Sequence, residues 1–150
     1  LAEEAMEALK TLMLPRALVL TPNIPEAEAL ADMSAPKVED AEELARALSV
    51  MGPQGILLKG GHRKGDEVVD LLMEHGQISD IYSSPRINTV HTHGTGCTLA
   101  SAIATGIAQG LSLRESVARA RNYVQEAIRT APGFGKGHGP LNHAHTVSDF

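Results

Sequence analysis

The chain has no tryptophan, two tyrosines, two phenylalanines and a single cysteine in 150 residues. With so few aromatics, its core must be built from Leu, Val, Ile, Ala and Met. One cysteine excludes an internal disulfide framework and fits a reducing cytoplasm. No basic run occurs and the formal net charge is −5, which argues against nucleic acid as a partner. No apolar run reaches the length of a bilayer-crossing helix and no signal peptide is visible, so no membrane partner is expected. The length suits one domain with a sizeable core.

What the chain does have is an alternation of short apolar runs and amphipathic segments. Ala17-Leu18-Val19-Leu20 ends in Thr21-Pro22, the pattern of a buried parallel strand stopped by proline. Pro25 suits the first position of a helix, predicted to run to about Asp32. Glu39 to Met51 places Leu44, Ala45, Leu48 and Met51 on one helical face. Gly52-Pro53 ends it, and Gly55 to Lys59 reads as a second buried strand. This order predicts an α/β fold with a parallel sheet covered by helices. Glu67 to Met73 and Gln77 to Ser83 flank Glu74-His75-Gly76 and read as a hairpin at the sheet edge. Ser112-Leu113-Arg114-Glu115 has the form of a capping box, opening a helix whose buried face is Leu113, Val117, Ala120, Val124 and Ile128. Leu1 to Leu14 resembles a helix entered partway, its apolar stripe formed by Leu1, Ala5, Met6, Leu9 and Met13.

The most informative stretch is His93-Gly94-Thr95-Gly96-Cys97-Thr98. Leu99, Ile103 and Ile107 follow it at i, i+4 and i+8, with mostly Ala, Ser and Thr between, which predicts a buried helix starting near Gly96. A helix start leaves backbone N–H groups unpaired and carries partial positive charge. Glycines there let the amides approach an oxyanion or a phosphate closely. Cys97 falls in the first turn, where dipole and amides favour a thiolate and suit it to act as a base or nucleophile. The alternative is a glycine turn followed by a small buried cysteine.

Thr92-His93-Gly94-Thr95-Gly96-Cys97-Thr98-Leu99 resembles the anion-hole motif of hydroxymethylpyrimidine/phosphomethylpyrimidine kinases, a thiamine-pathway branch of the ribokinase-like superfamily. Leu20-Thr21-Pro22-Asn23 with Glu26, Leu58-Lys59-Gly60-Gly61-His62, and Gly137-His138-Gly139-Pro140-Leu141-Asn142-His143 agree in order and spacing. The resemblance covers nearly the whole chain but only the C-terminal half of family members. Residues 1–150 are therefore expected to be the C-terminal half of one ribokinase-like kinase domain, a three-layer α/β/α sandwich with a mostly parallel central sheet.

The resemblance implies an ATP- and Mg2+-dependent phosphorylation of hydroxymethylpyrimidine and of its monophosphate, by a cytoplasmic enzyme that is a homodimer when complete. It assigns the amides of Gly94, Thr95, Gly96 and Cys97 to the anion hole, and Cys97 to the general base, where most of the superfamily has aspartate. An ordinary thiol is mostly protonated at neutral pH, so the helix terminus must favour the thiolate for this role. Asn23 and Glu26 have the N-x-x-E spacing that orders magnesium and phosphate across the superfamily; the alternative is helix capping. Lys59, Gly60 and Gly61 would meet nucleotide phosphates, with Thr95 beside them, although a lysine closing a strand can simply be solvated. His62, His91 and His93 lack zinc-site spacing. A vitamin B6 (pyridoxal or pyridoxine) kinase of the same branch and a folded but non-catalytic fragment are the rival readings.

Overall fold

A computed structural model describes residues 3–37, 39–62 and 65–147, which form two compact units that meet in sequence at Arg86 and Ile87. The chain enters the first unit through α1 (Glu3–Ala8). From Leu9 to Met13 the helix widens into a π turn, closed by Leu14 N donating to Leu9 O. That wider turn rotates the predicted stripe. Met6 and Leu9 pack against the core, Met13 is exposed, and Leu14 takes the buried position instead. Leu1 lies outside the described residues. A short 3-10 turn (Leu14–Arg16) leads to β1 (Val19–Leu20).

Helices α2 (Ile24–Ala31) and α3 (Ala41–Ser49) carry the chain from β1 to β2 (Gly55–Leu58). Leu44, Ala45 and Leu48 of α3 are fully buried, as their spacing predicts. β1 and β2 pair in parallel, the geometry expected of a strand–helix–strand passage. β3 (Glu67–Glu74) and β4 (Gln77–Pro85) then add a hairpin, turned at His75 and Gly76, both with positive φ. β3 runs antiparallel to β2, and the sheet order is β1-β2-β3-β4. The α/β class holds, but the sheet of this chain is only partly parallel: the tight hairpin forces β3 and β4 antiparallel, and the short return after β2 sets β3 antiparallel to it. The core of this unit joins Ile24, Ala27 and Leu30 of α2 to the buried face of α3 and to Ile56, Leu58, Leu71 and Met73 of the sheet.

The second unit is a helix pair. α4 (Thr95–Ala108) buries Leu99, Ile103 and Gly106, while α5 (Leu113–Arg129) buries Ser116, Val117, Ala120, Val124 and Ala127. The predicted Leu113 and Ile128 lie at the margins of that face and are half-buried. α4 is one-sided rather than buried all round: Ala100, Ser101, Ala104 and Ala108 are exposed. The two helices meet closely where a Cβ on Gly106 would lie 2.6 Å from Ser116 Oγ and 3.1 Å from Ser116 Cα. Beyond α5 the chain returns along it: Asn142 N donates to Ala127 O at 3.0 Å and Asn142 Nδ2 to Thr130 Oγ1 at 3.1 Å. His143 and His145 lie against the Tyr123 ring, at centroid distances of 6.3 and 4.5 Å. These histidines strap the closing segment to α5. No helix among the described residues is long and apolar enough to cross a membrane.

Candidate functional site

The start of α4 is capped by glycine. Gly94 has φ 85° and ψ 0°, a left-handed conformation that a residue with a Cβ adopts only under strain, and nothing lies within 4 Å of where that Cβ would be. No side chain caps the helix. Thr98 N closes the first helical turn on Gly94 O at 2.9 Å. Thr95 is not available as a donor: its amide and its hydroxyl both donate to Thr92 O, at 3.3 and 2.7 Å. These bonds hold the turn closed. The Gly96 and Cys97 amides have no acceptor among the described residues. Cys97 is exposed and its thiol free, so the buried-cysteine alternative fails. His93 is held through its backbone, donating to Gly139 O at 3.3 Å and bridging to Pro140. The glycine-histidine segment thus braces the approach to the turn.

At the end of β1, Asn23 caps α2. Its Oδ1 accepts from Glu26 N at 2.8 Å, and its own amide donates to Glu26 Oε2 at 2.8 Å, a reciprocal capping box. The capping alternative is therefore realised. It engages one oxygen of an exposed carboxylate and leaves Oε1 outside the cap.

Asn23 is bridged in parallel to Lys59, which follows β2, and Lys59 N donates to Pro22 O at 2.9 Å. Asn23 and Lys59 consequently sit side by side where the two parallel strands end, the end at which α/β sheets take ligands. The two glycines that follow differ. Gly60 presses on the sheet so closely that a Cβ would stand 2.0 Å from Val69 O, whereas Gly61 has open space in that direction. Packing alone requires the first; only the second offers backbone to a ligand. Two charged residues hold this pair, Asp70 on β3 and Arg86 just past β4, and neither belongs to a recognisable motif. Asp70 is 6% exposed inside a strand, and a lone acidic residue among Val68, Val69, Leu71 and Leu72 was the available signal.

Among the described residues, no group of three or more His, Cys, Asp or Glu is placed to hold a metal.

The chain resembles known proteins at the level of family, sequence and structure. The family model for phosphomethylpyrimidine kinase matches residues 1–142. The chain is 48% identical over 145 residues to the thiamine biosynthesis bifunctional protein ThiED of Geobacter sulfurreducens, covering 97% of this chain and 29% of that protein. It is 42% identical to the hydroxymethylpyrimidine/phosphomethylpyrimidine kinase of Bacillus subtilis, covering 95% of this chain and 53% of that one. Among solved structures it superposes on an ADP complex of Bacillus subtilis pyridoxal kinase with a TM-score of 0.89 and 30% identity, over 96% of this chain and 56% of that one. It also superposes on phosphomethylpyrimidine kinase from Clostridium difficile with a TM-score of 0.68 and 33% identity, over 84% and 49% of the two chains. The chain spans about half the length, or less, of the relatives it matches. The neighbours give the fold as ribokinase-like.

Proposed function

Since this chain belongs to the phosphomethylpyrimidine kinase family, we propose that it carries the phosphoryl-transfer machinery of a kinase acting on hydroxymethylpyrimidine and on its monophosphate. The phosphoryl donor is ATP with Mg2+, the product serves thiamine synthesis, and the chain is the C-terminal half of a single kinase domain. The resemblance extends the proposal to a homodimer working in the cytoplasm. The observation that carries it is the start of α4, where an exposed thiol shares the first helical turn with two amides that have no acceptor among the described residues.

Transfer requires the phosphates to be held, their charge neutralised and the attacking hydroxyl deprotonated. The substrate hydroxyl oxygen bonds to the γ-phosphorus of ATP as the bond from that phosphorus to the bridging oxygen breaks, releasing ADP. The hydroxyl proton passes to Cys97 Sγ. The Gly96 and Cys97 amides donate to the transferring phosphoryl oxygens, where helix-terminal N–H groups favour negative charge. The family resemblance assigns Lys59 and the open backbone of Gly61 to nucleotide phosphates. Mg2+, when bound, offsets charge on the phosphate oxygens. Such a hard cation prefers oxygen ligands and keeps several waters, and Glu26 Oε1, exposed and outside the cap, suits it together with Asn23.

In the intact kinase, Cys97→Ala should lower kcat by about 10²-fold, the size expected of a general base, with little change in nucleotide affinity. Wild-type turnover by this variant would remove Cys97 from the mechanism. The similarity to pyridoxal kinases favours vitamin B6 as a second reading. Assaying pyridoxal beside hydroxymethylpyrimidine separates the two.

A further inference from the structure

Two charged side chains hold the backbone on either side of the Gly60–Gly61 peptide, one at the Gly60 amide and one at the Gly61 carbonyl. The Gly60 amide donates to Asp70 Oδ1 at 2.8 Å, and this carboxylate is buried in β3. The Gly61 carbonyl accepts from Arg86 Nη1 at 2.8 Å. The same guanidinium donates through Nε to Gly65 O at 2.7 Å and through Nη2 to Glu67 O at 3.4 Å. The Arg86 amide also donates to Asp66 O at 2.7 Å. One planar group therefore spans three carbonyls, Gly61 and Gly65 in the connection between β2 and β3 and Glu67 at the start of β3, a geometry that a guanidinium provides and a single ammonium does not.

The sheet itself has no need of this clamp at Gly61. Gly60 is already fixed by packing on Val69, but open space lies beside Gly61. Loop backbone without packing neighbours is ordinarily mobile. Here Asp70 holds the peptide that follows Lys59 by its Gly60 amide, and Arg86 holds the next residue by the Gly61 carbonyl, so the segment presents one orientation. We propose that Arg86, with Asp70, is a positioning residue that sets Lys59-Gly60-Gly61 for the phosphates of the nucleotide. The inference rests on the assignment of that segment to the nucleotide under Proposed function.

The test measures MgATP binding by calorimetry, alongside turnover and melting temperature, in the intact kinase and its Arg86 variants. Arg86→Ala should weaken nucleotide binding and raise the KM for ATP by about 10-fold, the scale on which outer groups that orient ligands act. The KM for the pyrimidine should not change. Methylguanidinium in solution should restore binding to Arg86→Ala but leave wild type unaffected. Arg86→Lys keeps the charge and loses the three-carbonyl span, so it should fold and still bind ATP weakly. Wild-type nucleotide affinity in Arg86→Ala, or no response to methylguanidinium, would overturn the proposal. Failure of both variants to fold would overturn it too, by making Arg86 a requirement for folding. A wild-type protein that binds MgATP but phosphorylates no pyrimidine would refute the substrate reading alone and leave the clamp standing.

Discussion

α2 and α4 begin in opposite ways. At α2, Asn23 and Glu26 fold their side chains back on the backbone and satisfy the first donors of the helix. At α4, a left-handed glycine occupies the cap, no side chain reaches back, and the Gly96 and Cys97 amides have no acceptor among the described residues. α5 resembles α2: Ser112 and Glu115 form a second reciprocal box. Side-chain capping stabilises a helix, and the Ser, Thr, Asp and Asn that provide it are the usual choice. A start without it forgoes that stabilisation; α3 also lacks a side-chain cap, and the left-handed glycine is what sets α4 apart. The difference separates helix starts closed by their own side chains from one left open.

Forcing a side chain onto the open start should have the largest effect. Gly94→Ala places a Cβ on a left-handed residue, at a cost of roughly 1–2 kcal/mol. It should also shift the amides and lower kcat of the intact kinase by about 10²-fold, as losing an oxyanion donor does. A fall in melting temperature with unchanged turnover would show that the open start has no part in transfer.

The closed start of α2 can be split into its two tasks. Asn23→Ala removes the cap and should cost about 1 kcal/mol of stability, read as a lower melting temperature. Glu26→Gln retains the reciprocal bond, since glutamine also serves in a capping box, but it loses the charge. Its melting temperature should stay near wild type while the magnesium concentration for half-maximal activity rises. An unchanged magnesium titration would leave Glu26 as a cap only.

The smallest effect belongs to α5. The Ser112 hydroxyl, and next its amide, hold the Glu115 carboxyl below the usual carboxylate range. A depressed carboxylate contributes stability that is present above its unfolded value and lost as pH falls through the lower folded value. Ser112→Ala should therefore lower the melting temperature slightly at neutral pH, with the gap from wild type narrowing below the usual carboxylate range. A gap that is constant with pH would mean the carboxylate does not contribute through Ser112.

Features set by near neighbours in sequence were legible in it. Pro25 marked the start of α2, Ser112 and Glu115 marked that of α5, and His75-Gly76 marked the hairpin turn. Local backbone geometry was less so. The π turn at Leu9–Met13 changes which residues face inward, and no propensity at Leu14 announces it. Thr95 sits in the family motif, yet its hydroxyl turns inward to Thr92. Arg86 was beyond reach because its partners Gly61 and Gly65 lie 25 and 21 residues away, and only the paired strands bring them together. The direction of β3 was hidden in the same way: a strand pattern records alternation, not polarity.

The contact between Gly106 and Ser116 also bears on how this sequence can change over generations. Any side chain at position 106 meets the serine, and relief requires a smaller residue at 116, where even the Cα stands near the limit of tolerable approach. Lineages can drift at the exposed alanines of α4 one substitution at a time. A change at position 106 depends on a prior change at 116, so the order in which the two mutations arise decides whether the intermediate survives.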